Sequence, residues 1–321
     1  MDDPEQHKMS DFHTRLYQRL PGMMRFLAVA VGLLPLIGWL GGRFWFLDLL
    51  NHFQYQYVWV LLLCVPALLV MKSRRTALVT VLLLLVPLAR IVPGYLPPPN
   101  AVAGTHALRI CTYNVLASNR QHARSIDWVK ATMPDVIYFT EVSEEWTEAL
   151  KELEGVYPYW INDGPDFAFF SKFPIASHEV HRVSEIEFRL LEAHLTTPDG
   201  GQLTVLAGHP LPPLLPKWGK ALDDYIAALV QELSQEQGRV IVAGDFNATR
   251  WSSKTRVLES IGMQEASKGK APGPTWKRGH PVLGIPIDRI LFRGEGMGCR
   301  SFEIGPDLGS DHRAVTAEIV W

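Results

Sequence analysis

Hydrophobic positions fall along this chain in two ways. In the first hundred residues they run together. Phe26 to Gly42 is an uncharged stretch of 17 residues and Phe53 to Met71 one of 19; Thr76 to Ala89 is one of 14 and reaches Pro93 if Arg90 turns its head group out of the run. A helix crossing a bilayer needs ~20 apolar residues. The runs therefore predict three transmembrane helices, at about 24–42, 53–71 and 76–93. Pro35, Pro66 and Pro87 lie inside them, where spanning helices tolerate proline. Ahead of the first run, Ser10 to Leu20 has the spacing of a short amphipathic helix capped by Ser10.

From residue 107 the runs shorten and alternate in character. Leu108–Asn114, Val136–Glu141, Phe167–Phe170, Ile175–Val183, Phe188–Leu195 and Leu203–Gly208 read as strands. So do Val240–Gly244, Ile287–Phe292, Ser301–Ile304 and Ala314–Val320. Val240–Gly244 is wholly apolar, which predicts burial on both faces. Helical spacing covers Gln121–Met133, Glu144–Leu153, Lys217–Gln235 and Trp251–Leu258. Strands outnumber helices and several follow one another as hairpins, which predicts mixed sheets covered by helices.

The 321 residues thus divide into residues 1–100, a membrane anchor ending in a Pro-rich linker at Pro97-Pro98-Pro99, and residues 101–321, a catalytic-type α/β unit. Lys8, Arg15, Arg19 and Arg25 precede the first span, and Lys72, Arg74 and Arg75 separate the second from the third. The positive-inside rule then predicts a multi-pass protein of the inner or plasma membrane, with residues from 95 onward on the periplasmic or extracellular side. A cleaved signal peptide ending at Ala101-Val102-Ala103 is the competing reading, but a signal peptide carries one apolar run and not three.

Charge and cysteine content narrow the chemistry. Residues 101–321 hold 22 Lys and Arg against 28 Asp and Glu, which argues against a dedicated nucleic-acid coat. Three cysteines exclude a disulfide-dense scaffold and lack zinc-site spacing. Cys111 and Cys299 are expected to be free buried thiols.

Polar residues collect where the apolar strands end. Asn114, Glu141 and His209 close three strands, Asp245 and Asn247 follow a fourth, Asp288 opens a fifth, and Asp311-His312 precede the last. Singly, each has an ordinary explanation as a turn residue, a cap or a surface group. Together they interrupt runs where polar groups are costly, and strand ends are where a sheet holds a site.

Taken in order, Tyr113-Asn114-Val115, Thr140-Glu141-Val142, Gly208-His209-Pro210, Gly244-Asp245-Phe246-Asn247-Ala248-Thr249, Ile287-Asp288-Arg289-Ile290 and Ser310-Asp311-His312 form a set. It resembles the endonuclease/exonuclease/phosphatase superfamily, in the layout of a membrane-anchored bacterial-type member. The resemblance covers roughly residues 105–321. It implies a four-layered α/β sandwich with two central mixed β-sheets and a metal-dependent phosphoesterase, phosphodiester hydrolysis ranking first. It implies Glu141 as the principal metal carboxylate, Asn114 beside it and Asp311 as a further ligand, directly or through water. The expected ion is Mg²⁺ or Mn²⁺, hard cations that prefer oxygen donors. It further implies that Asp288 fixes the tautomer of His312, that His312 meets the scissile phosphate, and that Asp245 orients or deprotonates the water. Asn247 would donate to a phosphoryl oxygen, with His209 near the leaving group or phosphate.

Two positions depart from the family pattern. Leu116 stands where some members carry a second polar ligand, which weakens the case for a second metal. Arg250 stands where proline is common, as a phosphate contact or a surface residue. The substrate stays open between nucleic acid and phospholipid headgroups. Lys268, Lys270, Lys277, Arg278 and His280 around Thr275-Trp276 suit either, or a solvated loop with Trp276 packed inward. The lipid bilayer is the other expected partner, and no protein partner is implied. A non-catalytic binding module that kept the fold is the alternative, opposed by the complete motif set. A transport component is opposed by the lack of polar clusters inside the spans.

Overall fold

The long apolar runs near the start of the chain fold as helices, which satisfy most of their backbone hydrogen bonds within the segment. The computed structural model describes residues 4–97, 104–184, 188–270, 273–277, 279–280 and 282–321, with side chains from residue 18 onward. Helix α1 (Pro4–Ile37) runs into a 3-10 turn at Gly38–Gly42. Helix α2 (Trp45–Asp48) and a second 3-10 turn, Leu49–Phe53, lead to α3 (Gln54–Val70), and α4 (Arg74–Tyr95) completes the group. Gln18–Gly42, Trp45–Val70 and Arg74–Tyr95 are each long and apolar enough to cross a membrane. Small residues let the helices approach: Ala28, Cys64 and Ala77 cluster with Leu68, and a Cβ on Gly32 would strike the Leu83 side chain. Large apolar side chains point outward instead, with Leu63, Val70 and Leu78 each well over half exposed.

The helix expected to start at Ser10 is part of α1, which is helical from Pro4. Pro98, Pro99, Ala101-Val102-Ala103 and Arg278 lie outside the described residues, as does the expected boundary at residue 100.

Residues 104–321 fold as two six-stranded mixed sheets. The first contains β1 (Ala107–Asn114), β2 (Val136–Val142), β3 (Tyr159–Ile161), β4 (Asp166–Ser171), β11 (Gly298–Ile304) and β12 (Val315–Val320), in the order β11-β12-β1-β2-β4-β3. The second contains β5 (Ile175–Val183), β6 (Phe188–Thr196), β7 (Gln202–Gly208), β8 (Arg239–Asp245), β9 (Gln264–Glu265) and β10 (Asp288–Arg293), in the order β5-β6-β7-β8-β10-β9. Pairs β1–β2 and β7–β8 are parallel and the remaining pairs antiparallel.

Strand alternation decides which side chains go where. Leu108 and Ile110 of β1 meet Ile241 and Ala243 of β8 between the sheets, while Cys111 and Tyr113 turn outward under α5 (His122–Thr132) and α6 (Glu144–Leu150). On the far side Val240 and Val242 pack beneath α7 (Pro216–Gln235), whose Leu222, Ile226, Leu229 and Leu233 form its apolar stripe. The result is four layers, helix on sheet on sheet on helix, and β8 is buried on both faces as its apolar run requires. Cys111 is a buried free thiol and Cys299 a half-buried one.

The helix expected over Trp251–Leu258 is confined to α8 (Arg256–Ser260). Residues 251–255 form turns because Asp48 takes them: its carboxylate accepts from Ser253 N at 2.7 Å and from the hydroxyls of Ser252 and Ser253 at 2.5 and 2.7 Å. Strands β3 and β9 carry too few residues to be read from alternation.

Candidate active site

The strand ends that carry the polar residues meet at one cleft. Its walls include Glu141, His209, Asp245, Asn247, Asp311 and His312, and its volume is about 380 Å³. Asn114 and Asp288 stand directly behind, Asn114 hydrogen-bonded to Glu141 and Asp245 and Asp288 to His312.

Asn114 ends β1 on the parallel pairing with β2, which brings it beside Glu141. Asn114 Nδ2 donates to Glu141 Oε1 at 2.8 Å and to Asp245 Oδ2 at 3.1 Å, linking the two sheets. Asn114 O accepts from Ser310 Oγ at 2.7 Å, and Ser310 Oγ accepts from His312 N at 3.0 Å, so the first strand also sets the Ser310–His312 turn. Glu141 sits where the register between β2 and β4 shifts, with a φ of +56° that glutamate rarely adopts. The bulge lifts it out of the ladder and turns it into the cleft. Leu116 and Asn247, also beside the site, share the left-handed region at φ +59° and +47°. Strained backbone of this kind gathers at functional sites.

Asp245 of β8 and Asp288 of β10 are register partners. Two buried carboxylates across a ladder repel unless a cation lies between them. His312 supplies it. Its Nδ1 lies 2.9 Å from Asp288 Oδ2, and its Nε2 3.6 Å from Asp245 Oδ2. Burial alone would lower the imidazole, but the charges of Asp288 and Asp245 push it up to about 10. Burial raises the Asp245 carboxyl, yet His312 and His209 outweigh it and hold it below the usual carboxylate range. For Asp288 burial dominates, against the opposing pull of His312, and keeps its carboxyl above that range. Thr275 Oγ1 accepts from the backbone N–H of Asp288 at 3.1 Å and so anchors the start of β10.

His209 Nε2 is 3.4 Å from Asp245 Oδ2 and 3.9 Å from Glu141 Oε1. Burial lowers this histidine, and Asp245, Glu141 and Asp166 more than restore it. Asn247 Nδ2 donates to Pro210 O at 2.9 Å and lies 3.1 Å from His209 Nε2. Asp311 lines the cleft with its Oδ2 accepting from Trp276 Nε1 at 3.0 Å. All eight residues singled out from the sequence therefore gather at one place.

Asp245, Asp288 and His312 bring carboxylate and imidazole atoms close enough together to suggest a metal group. Their atoms already face one another as an acid–imidazole–acid chain. Glu141 fits a hard divalent ion better: an oxygen donor whose side chain is about one-third exposed to the cleft, with Asn114 hydrogen-bonded behind it. No thiol approaches it among the described residues lining the cleft.

A sequence profile of the Endonuclease/Exonuclease/phosphatase family matches residues 111–312. The chain belongs to that family. Among solved structures it is similar to humanised D. rerio TDP2, at 18% identity and TM-score 0.56 over 67% of this chain and 99% of that one. It is similar also to the human Nocturnin catalytic domain with bound sulfate, at 18% and 0.54 over 68% and 95%. An endonuclease/exonuclease/phosphatase from Beutenbergia cavernae matches at 15% and 0.58 over 67% and 71%. No curated protein matches this chain in sequence. At these identities the likeness carries the fold of the family.

Other residues of the cleft were not legible from the family's motifs. Leu49, His52 and Phe53, from the connection between the first two long helices, are among the residues that line it. A signal was present: Asp48, Asn51 and His52 put three polar groups into a short link between apolar runs. Trp276 forms part of the wall. Arg250 does not line the cleft. It pairs with Glu259 at 3.4 Å and packs below Gly94 of α4.

Proposed function

We propose that this member of the family is a membrane-anchored phosphodiesterase that uses a divalent ion, Mg²⁺ or Mn²⁺, with its cleft on the outer side of the membrane. The observation that carries the reading is the convergence of Asn114–Glu141, Asp245, His209, Asn247 and Asp288–His312 from both sheets onto one cleft.

Glu141 and Asn114 would hold the ion, with Asp311 joining directly or through water. When bound, the ion neutralises charge on the phosphoryl oxygens. In the reaction, a water oxygen bonds to phosphorus, the P–O bond to the leaving group breaks, and the leaving oxygen takes up a proton. Asp245, held ionised between two histidines, accepts the hydrogen of the attacking water. His312, held cationic by the two carboxylates, stabilises the charge that grows on the phosphoryl group. Asn247, whose amide nitrogen donates to Pro210 O, would donate to the same oxygens, and His209 beside it would protonate the leaving group.

The test is hydrolysis of bis-p-nitrophenyl phosphate by the full chain in detergent with Mg²⁺, Mn²⁺ or EDTA. Turnover should vanish in EDTA and fall by at least ~100-fold in Glu141→Gln, while turnover unaffected by either change would refute the assignment. Lys72, Arg74 and Arg75 at the α3–α4 turn support placing that turn on the cytoplasmic side. A phosphatase reporter at the C-terminus should then be active outside the cytoplasm, and activity of a cytoplasm-only reporter there would reverse the orientation.

A nucleic-acid substrate is the second reading. D. rerio TDP2, at 17% identity and TM-score 0.55, has been solved with a single-stranded DNA product.

A further inference from the structure

The cleft is lined by two chemically different sets of side chains. One set is the acids and histidines. The other is apolar and includes Leu49 and Phe53 from the connection into α3 and Leu211, Pro212 and Leu214 from the segment before α7. Neither Lys nor Arg is among the described residues lining it. A nucleic-acid strand carries a charge on every residue and is held by grooves of Lys and Arg. The lining answers a ligand with a single phosphoester beside a large apolar portion.

The position of the apolar set fits the same ligand. The contacts of Asp48 with Ser252 and Ser253 and of Gly94 with Arg250 put one end of the helix group against the sandwich. Gln56, in the first turn of α3, donates to the carbonyls of Val282 and Gly284 at 3.0 and 2.9 Å. That leaves Val282 and Leu283 beside the helix and 66% and 56% exposed. The first turns of α7 pack on Trp45, carrying Leu214 at 58% exposure to the same level. Trp39 and Phe46 are exposed there as well. Exposed apolar side chains thus stand on, or next in sequence to, segments that line the cleft and on the helices long and apolar enough to span a membrane.

His52 adds an independent sign. Its Nδ1 accepts from the backbone N–H of Thr249 at 3.2 Å, so the proton sits on Nε2. That Nε2 is buried without a hydrogen-bond partner, in a ring that forms part of the cleft wall. A buried N–H left unpaired is costly unless a ligand oxygen meets it.

We propose that the substrate is a lipid-borne phosphodiester whose hydrocarbon portion lies between the α2–α3 connection and the Leu211–Leu215 segment while its phosphate reaches Glu141. This rests on the phosphodiesterase reading above. The hydrocarbon enters sideways from the bilayer and never crosses water.

The experiment uses the full chain in phosphatidylcholine nanodiscs with methyl and hexadecyl p-nitrophenyl phosphate, comparing wild type with Leu214→Glu and Val282→Glu. Partitioning into the bilayer raises the hexadecyl rate equally for all three proteins, so the readout is each protein's hexadecyl-to-methyl ratio of kcat/KM. The ratio should fall at least tenfold in the variants. An unchanged ratio in both variants, or a wild-type preference for thymidine p-nitrophenyl phosphate or plasmid DNA over the hexadecyl ester, overturns the proposal. If wild type hydrolyses none of these with Mg²⁺ or Mn²⁺, the phosphodiesterase reading has failed separately. Calorimetric binding of hexadecyl phosphate then decides the tail site: at least tenfold weaker binding in Leu214→Glu upholds it, and equal binding overturns it.

Discussion

His312 stands between two carboxylates that the ladder of β8 and β10 forces to face each other. The geometry ties the protonation of one ring to the stability of the sheet. The folded value is pushed up to about 10, above the ~6.5 of an unperturbed histidine. A raised value gives stability that is complete below the unfolded value and is lost as pH rises through the folded one. Thermal unfolding in EDTA should therefore separate wild type from His312→Gln most at about pH 6, and the gap should shrink steadily toward pH 10. A gap independent of pH would mean the ring acts by packing alone. The pairing of Asp288 with His312 was implied by the family resemblance, while their places beside apolar strands marked each residue singly and left its partner open. The contact of Asp245 with the same ring was not, since register between β8 and β10 is a property of the folded sheet.

At the level of elements, the bulge in β2 does more for the site than any motif reveals. It gives Glu141 a φ of +56°, a conformation that glycine adopts without penalty. Glu141→Gly should abolish hydrolysis yet leave the protein as stable as wild type or up to ~1 kcal/mol more so, measured by denaturant unfolding. A clear loss of stability would mean that the carboxylate's bond to Asn114 outweighs the strain. Periodicity was enough to find the long strands and α7, whose apolar stripe is unambiguous. It failed at Trp251–Leu258, where helical spacing is present but Asp48, some 200 residues earlier, captures the backbone of Ser253. Such a partner is invisible to any local pattern.

Across the whole molecule, buried polar side chains fasten the helix group to the sandwich. Asp48 holds Ser252 and Ser253, His52 holds Thr249, and the carbonyl of Arg90 accepts from Trp251 Nε1 at 3.0 Å. Thr249 and Trp251 follow directly on the Asp245–Asn247 segment of the cleft. Asp48→Ala would leave several buried donors without acceptors, at ~1–3 kcal/mol each. We expect a fall in melting temperature together with a loss of hydrolysis in the full chain. Unchanged activity would show that the Asp245–Asn247 segment keeps its shape unaided. The apolar helices and the strand-rich fold were legible from the hydropathy pattern, but this seam was not, because hydropathy says nothing about which helix end meets which loop.

The seam also fixes the sandwich in the rotational frame of the helices. Spanning helices lean further as the hydrocarbon layer thins, the usual response to a length mismatch. If the three helices span a bilayer as proposed, a cleft fastened to their ends leans with them, and the thickness of that bilayer would become a variable that the site itself experiences.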